Sequence, residues 1–216
     1  MTTVPGTPAA VDRPAAAQVP TAPTGSMAAV TADPAPLGLA AFGITTMALS
    51  AINAAWIGAA ATPMVLALAL PFGGIAQALA GMWAFRRNNT FAATAFTSFG
   101  AFWVSYWLLV KFEVAPIVAA GGAGEAHTAV GMYLFAWGVF TAYMFLASIA
   151  SAKAVTTVFI LLALTFFALA TGEWNSSDTW THIGGYLGMA TAVAALYTSF
   201  ADVTNANFKR TILPTF

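Results

Sequence analysis

From Leu37 onward the chain reads as a succession of apolar windows, each about 20 residues long and closed by a short polar connection. A helix rises about 1.5 Å per residue, so such a window crosses a hydrocarbon layer about 30 Å thick. Six windows are predicted as spanning helices: 37–57, 64–85, 91–110, about 129–149, 154–171 and 180–201. Their connections include RRNN at 86–89 and EWNSSD at 173–178. The apolar runs are continuous rather than alternating, which excludes a transmembrane barrel. A buried helix of a soluble protein accounts for one such window, not for six in a row. The expected fold is all-α: a polytopic membrane protein with six transmembrane helices per protomer, forming one domain over residues 33–205.

The flanks read differently. Residues 1–32 are rich in Pro, Ala and Thr, with prolines at 5, 8, 14, 20 and 23. A secretory signal needs an apolar core of about 7–15 residues behind a basic start, and none is present there. A disordered cytoplasmic tail is expected instead. Residues 206–216 are expected to form a short cytoplasmic C-terminal tail.

Composition sharpens the class. The 216 residues are 60% hydrophobic and 6% charged, against about a quarter charged in soluble domains. Net charge is zero, so no basic field exists to attract nucleic acid. The absence of Cys removes disulfides, thiolate metal sites and thiol nucleophiles. Cytoplasmic termini would place Arg13, Arg86, Arg87, Lys153, Lys209 and Arg210 inside and only Lys111 outside, as the positive-inside rule requires. Trp83, Trp103, Trp107, Trp174 and Trp180 fall towards span ends, where an indole keeps its N–H wet.

Polar positions then mark faces. In lipid a polar side chain turns to a neighbouring helix or to an aqueous path. Phe42, Thr46, Leu49 and Asn53 form one helical stripe; Tyr133, Trp137, Thr141 and Ser148 form another. Thr94, Thr97, Ser98 and Ser105 share a face, and Gly184, Gly188, Thr191, Ala195, Thr198 and Asp202 make a small-residue ridge. The Gly184/Gly188 pair and the row Gly74, Ala78, Gly81 are read as close helix packing. Asn53 and Gln77 are read as path residues, although bonding between helices would also account for them. No charged residue or His occupies the middle of a span. His127 and His182 are read as interfacial polar residues, and Asp202 as either a boundary residue or part of an exit. No cluster has metal or haem ligand spacing, no phosphate loop and no nucleophile–base–acid grouping is present, so no cofactor, no metal and no enzymatic activity are expected.

One motif adds specificity. Asp33-Pro34-Ala35-Pro36-Leu37-Gly38-Leu39 resembles the Asn-Pro-Ala-Pro-Leu-Gly-Leu signature of the acetate uptake transporter family, which includes succinate–acetate permeases. Further matching stretches are FGITT at 42–46, FGGIAQ at 72–77, NTF at 89–91, TAFTSFGAFW at 94–103, WGVFT at 137–141, the stretch 197–205 and FKRTILP at 208–214. The resemblance implies a plasma-membrane importer of acetate and related small carboxylates. It also implies a hexamer with a separate path in each protomer, proton-coupled in some members and channel-like in others. The narrow point implied is Phe42, Phe99 and Leu162. Two positions depart from the bacterial pattern: Asp33 replaces Asn, and Phe99 replaces Tyr. With Asp33, Pro34, Pro36 and Leu37 at the mouth, the expected substrate-binding set adds Thr46, Asn53, Gln77, Trp137 and Thr141.

A carboxylate of pKa roughly 4–5 is almost fully ionised at neutral pH, and a bare charge in an apolar gate is prohibitive. Proton-linked uptake is therefore the leading expectation. A passive anion channel with the same path follows, and then a membrane sensor or scaffold that carries nothing.

Overall fold

The computed structural model describes Met1 and residues 31–215; the expected tail at 1–32 lies almost wholly outside the described residues. Among the described residues the protein is all-α. Its helices are α1 (Ala35–Asn53), α2 (Ala59–Arg86), α3 (Thr90–Leu108), α4 (Val114–Ser148), α5 (Lys153–Trp174) and α6 (Asp178–Phe208). Five helical stretches are long and apolar enough to cross a membrane, because α3 and α4 run together as Thr90–Ser148.

Local sequence explains the boundaries. Asp33 Oδ1 accepts from the Ala35 N–H at 2.9 Å, and a proline occupies the first turn of α1, where a missing N–H is harmless. Helix α1 ends at Asn53, before the expected Ile57, because Ala55 turns left-handed (φ 58°). The stretch 111–128, expected as a connection, is largely helical. A π-helical turn covers Leu109–Glu113 and α4 follows it at once, broken at Gly122 (φ 82°, ψ 175°). A second π segment, Ala69–Ala76, lies inside α2 and contains Pro71, whose missing N–H interrupts the regular ladder.

Glycine decides how the helices meet. Helix α6 packs against α1 and α5, α5 against α4, and α2 against α3. A Cβ on Gly185 would lie 2.3 Å from the Ala54 nitrogen, and one on Gly184 2.5 Å from Leu169. On the other pair, Gly81 abuts Thr97 and Gly100 abuts Ala78. Both glycine rows read from the sequence as packing are packing. Helix α3 reaches α4 and α5 through rings instead: Phe102 stacks on Tyr133 at 5.9 Å and meets Phe166 edge-on at 5.2 Å.

The two ends differ in charge. Arg87 donates to the Thr31 carbonyl and sits 3.8 Å from Asp33. The Ala154 N–H donates to Thr215, and Asn205 ties down Ile212 and Leu213. Arg86, Arg87, Lys153, Lys209 and Arg210 therefore gather at one end, the cation-rich end, with Lys111 at the other. Large apolar side chains such as Leu79, Met82, Leu146 and Phe200 point outward, as lipid contact requires.

Gly185→Ala is expected to lower the Tm of the detergent-solubilised protein, by an overpacking cost of about 1–3 kcal/mol. Gly124→Ala, with open space around its Cβ position, should leave Tm unchanged or raise it. Equal behaviour of the two would refute the close approach of α1 and α6.

Candidate functional site

The α1 stripe faces the bundle axis. Three cavities of about 190, 40 and 390 Å³ follow one another along it. Phe42 borders the first and second, Thr46 the second, and Leu49 and Asn53 the second and third. The first lies towards the cation-rich end, where Asn89 and Asp202 also line it; the third lies at the opposite end, with His127 and Glu173. A broad open groove beyond the first cavity is lined by Asp33, Pro36, Leu37, Ser199, Asp202 and Asn205.

Between the first two cavities stand Phe42 and Leu162, each lining both. Phe99 packs on Phe42 with ring centroids 5.8 Å apart. All three are buried, at 4%, 4% and 3% exposure. Phe99 is in turn held by Phe140 at 5.4 Å, Phe159 at 6.0 Å and Trp137 at 6.2 Å. Offset and edge-on pairs of this kind contribute about 0.5–1.5 kcal/mol each beyond simple burial, so the constriction is stiff.

Hydrogen bonding separates path from packing. Thr45, Thr141, Thr165, Thr191 and Thr198 are buried, and each donates its hydroxyl to the carbonyl four residues back. That bond satisfies a threonine inside its own helix. Thr46 is the exception: its Oγ1 is buried with no partner among the described residues. Two further orphans, Trp103 Nε1 and Gln77 Oε1, belong to residues that line the axis, Trp103 at the second cavity and Gln77 at the first. The fourth buried orphan, Thr97 Oγ1, lies at the Gly81 contact between α2 and α3. A buried polar group without a partner costs about 1–3 kcal/mol, so three of them along one axis are conspicuous. The second cavity, at about 40 Å³, is roomy enough for a water or a similarly small polar group.

The expected site residues divide accordingly. Phe42, Phe99, Leu162, Thr46, Asn53 and Gln77 come together along the axis. Trp137 packs behind Phe99, and Thr141 spends its hydroxyl on the Trp137 carbonyl at 2.7 Å; neither borders the cavities described. Asp33, Pro36 and Leu37 border the groove, not the axis. Pro34 accepts from the Gly38 N–H at 3.1 Å, and the Pro36 carbonyl accepts from Ser199 Oγ at 2.7 Å, so part of the motif ties α1 to α6.

Two features escape the sequence pattern. Trp103, expected near a span end, is 1% exposed; the spacing Phe96, Phe99, Trp103 carried that signal as an aromatic face. The Thr94/Ser98/Ser105 face is only half-buried. His127 Nδ1 lies 2.7 Å from Glu173 Oε2 across the third cavity, a pairing that no local spacing encodes.

Fold and site together describe an all-α protein with helices long and apolar enough to cross a membrane and an aromatic constriction on its axis. The family model described as the GPR1/FUN34/yaaH family matches residues 17–216, and the chain belongs to that family. The "Succinate-acetate/proton symporter SatP" of Escherichia coli is 38% identical over 183 residues, covering 85% of this chain and 94% of the relative. "Acetate permease A" of Emericella nidulans is 34% identical over 194 residues, covering 85% of this chain and 65% of the relative. A solved structure described as "Structure of the bacterial acetate channel SatP" superposes with a TM-score of 0.75 at 34% identity, covering 85% of this chain and 98% of that one. These relatives are transporters or channels, and the chain is not an enzyme.

Thr46→Val removes a buried, unpartnered hydroxyl and is expected to stabilise the solubilised protein by about 1 kcal/mol. Thr45→Val discards a made hydrogen bond and should gain nothing. A lower Tm for Thr46→Val would contradict the orphan assignment.

Proposed function

We propose that this protein carries acetate and related small carboxylates across the plasma membrane, coupled to protons, along the axis gated by Phe42, Phe99 and Leu162. The observation that carries this reading is the set of unpartnered polar atoms of Gln77, Thr46 and Trp103, placed on both sides of an apolar constriction. Stability alone favours apolar or satisfied groups at such positions; a path for a small polar solute accounts for their presence. Hydroxyl, indole and amide groups replace part of a solute's water shell without trapping it by charge. No ionisable side chain other than tyrosine lines the second cavity, so an anion there is costly unless a proton accompanies it. The named relatives, an acetate permease and a succinate-acetate/proton symporter, support this substrate class and make succinate a candidate.

The same reading counts Thr90–Ser148 as two crossings. Its 59 residues would extend about 90 Å as one straight helix, three times the hydrocarbon thickness, and Gly122 supplies a break. With six crossings both termini lie on one side of the membrane, and the positive-inside rule supports the cytoplasm for them and for the cation-rich end. The family likeness adds assembly into a hexamer, with the outward apolar faces shared between lipid and neighbouring protomers. Asp33 lies beside Arg87, which offsets its negative charge at the mouth.

A passive channel is the second reading, favoured by the uncharged middle cavity and by the solved relative described as an acetate channel. Labelled acetate flux into proteoliposomes separates the two. Proton-linked transport predicts accumulation that follows an imposed pH gradient. A channel predicts acetate current reversing at the acetate equilibrium potential, with no response to the gradient beyond that of protein-free vesicles.

Phe42→Ala should widen selectivity. Per assembled protein, larger acids such as lactate are expected to compete with acetate more strongly than in the parent. An unchanged competition profile, together with the loss of about 3–5 kcal/mol typical of a core Phe→Ala change, would assign Phe42 to packing alone.

A further inference from the structure

We propose that Asp202 is the proton-exchange carboxylate of the path: a carboxylate substrate passes the cation-rich mouth by sharing one proton with it. This inference rests on the proton-linked reading above. Asp202 is the residue common to the lining of the open groove and of the first cavity, the cavity that ends at Phe42, Phe99 and Leu162. It is half-buried and takes part in neither of the ion pairs found among the described residues. The titratable groups around it are few. The first cavity adds none, and the groove adds Asp33, whose other neighbour is Arg87. Among the described residues no cation other than Arg87 is engaged at this mouth, and Arg87 is already held by Asp33 and the Thr31 carbonyl.

The chemistry follows from crowding. Two carboxylates within a few ångströms resist joint ionisation and hold one proton between them. An ionised Asp202 therefore repels an acetate anion, whereas a protonated Asp202 donates its O–H to the anion. An acid arriving along the axis gives its proton to ionised Asp202: its O–H breaks as the Asp202 O–H forms, and the anion stays hydrogen-bonded to it. The anion then leaves through the groove, the Asp202 O–H breaks and the proton passes to a water, so Asp202 is ionised again and each acetate has brought one proton. Run in reverse, the same steps load the mouth.

The test compares Asp202→Asn, Asp202→Glu and the parent in proteoliposomes, normalised to assembled protein and corrected for acetate leak in protein-free vesicles. Two readouts are taken: accumulation of labelled acetate driven by a pH gradient, and acetate–acetate exchange at equal pH. Asn is neutral and still donates a hydrogen bond, so Asp202→Asn is expected to keep exchange but lose gradient-driven accumulation. Asp202→Glu is expected to restore coupling. Accumulation in Asp202→Asn equal to the parent would overturn the proposal, as would loss of both readouts in assembled protein. If the parent itself ignores the gradient, the proton-linked reading fails, and this inference fails with it.

Discussion

A polar atom inside a membrane protein has to find its partner within the protein, because the surrounding hydrocarbon offers none. The arrangement of this bundle depends on that constraint. Thr45, Thr141, Thr165, Thr191 and Thr198 meet it by bonding to their own helices, and Ser148 and Ser199 do so through the Phe145 and Pro36 carbonyls. Against that background, the open valences of Gln77, Thr46 and Trp103 stand out, and the proposed path gives them a use. Glycine packing on either side of the axis makes the positions reproducible: α6 is locked to α1, and α2 to α3, at distances that leave no room for a Cβ.

The constriction adds a second constraint. Phe42, Phe99 and Leu162 separate the first two cavities with no hydrophilic route among them, and the surrounding rings of Trp137, Phe140 and Phe159 hold Phe99 in place. Under the proposed reading, a solute there gives up water and meets polar groups only before and after the rings. The ionisable groups lie at the two ends, Asp202 and Asp33 at one and the His127–Glu173 pair at the other, and not at the constriction.

Much of this was legible in the chain. The all-α membrane class follows from continuous apolar windows, and the α1 stripe follows from helical period, since only a face at spacing 4, 3, 4 lines three successive cavities. The glycine rows were readable for the same reason. Other parts were hidden by physics that spacing does not express. Thr141 looked like a path residue because its hydroxyl counts as polar in the sequence, yet back-bonding to Trp137 neutralises it. Phe99 lies off the polar face of α3, because the interior there is aromatic and the hydroxyl-bearing face is left half-buried; resemblance alone placed it. The helical stretch after Lys111 reads as a connection because it falls between two apolar windows, yet only Gly122 in it departs from helical geometry. The His127–Glu173 pair joins residues 46 apart, beyond any local pattern.

The chain contains no Cys, so single cysteines report on the axis directly. Thr46→Cys and Thr141→Cys, assembled in proteoliposomes, can be exposed to a small thiosulfonate reagent with and without acetate. The account predicts that position 46 is modified, that acetate slows the modification, and that position 141 stays inert. An inert Thr46→Cys, or one modified at the same rate with and without acetate, would contradict an axial path through the orphaned polar atoms.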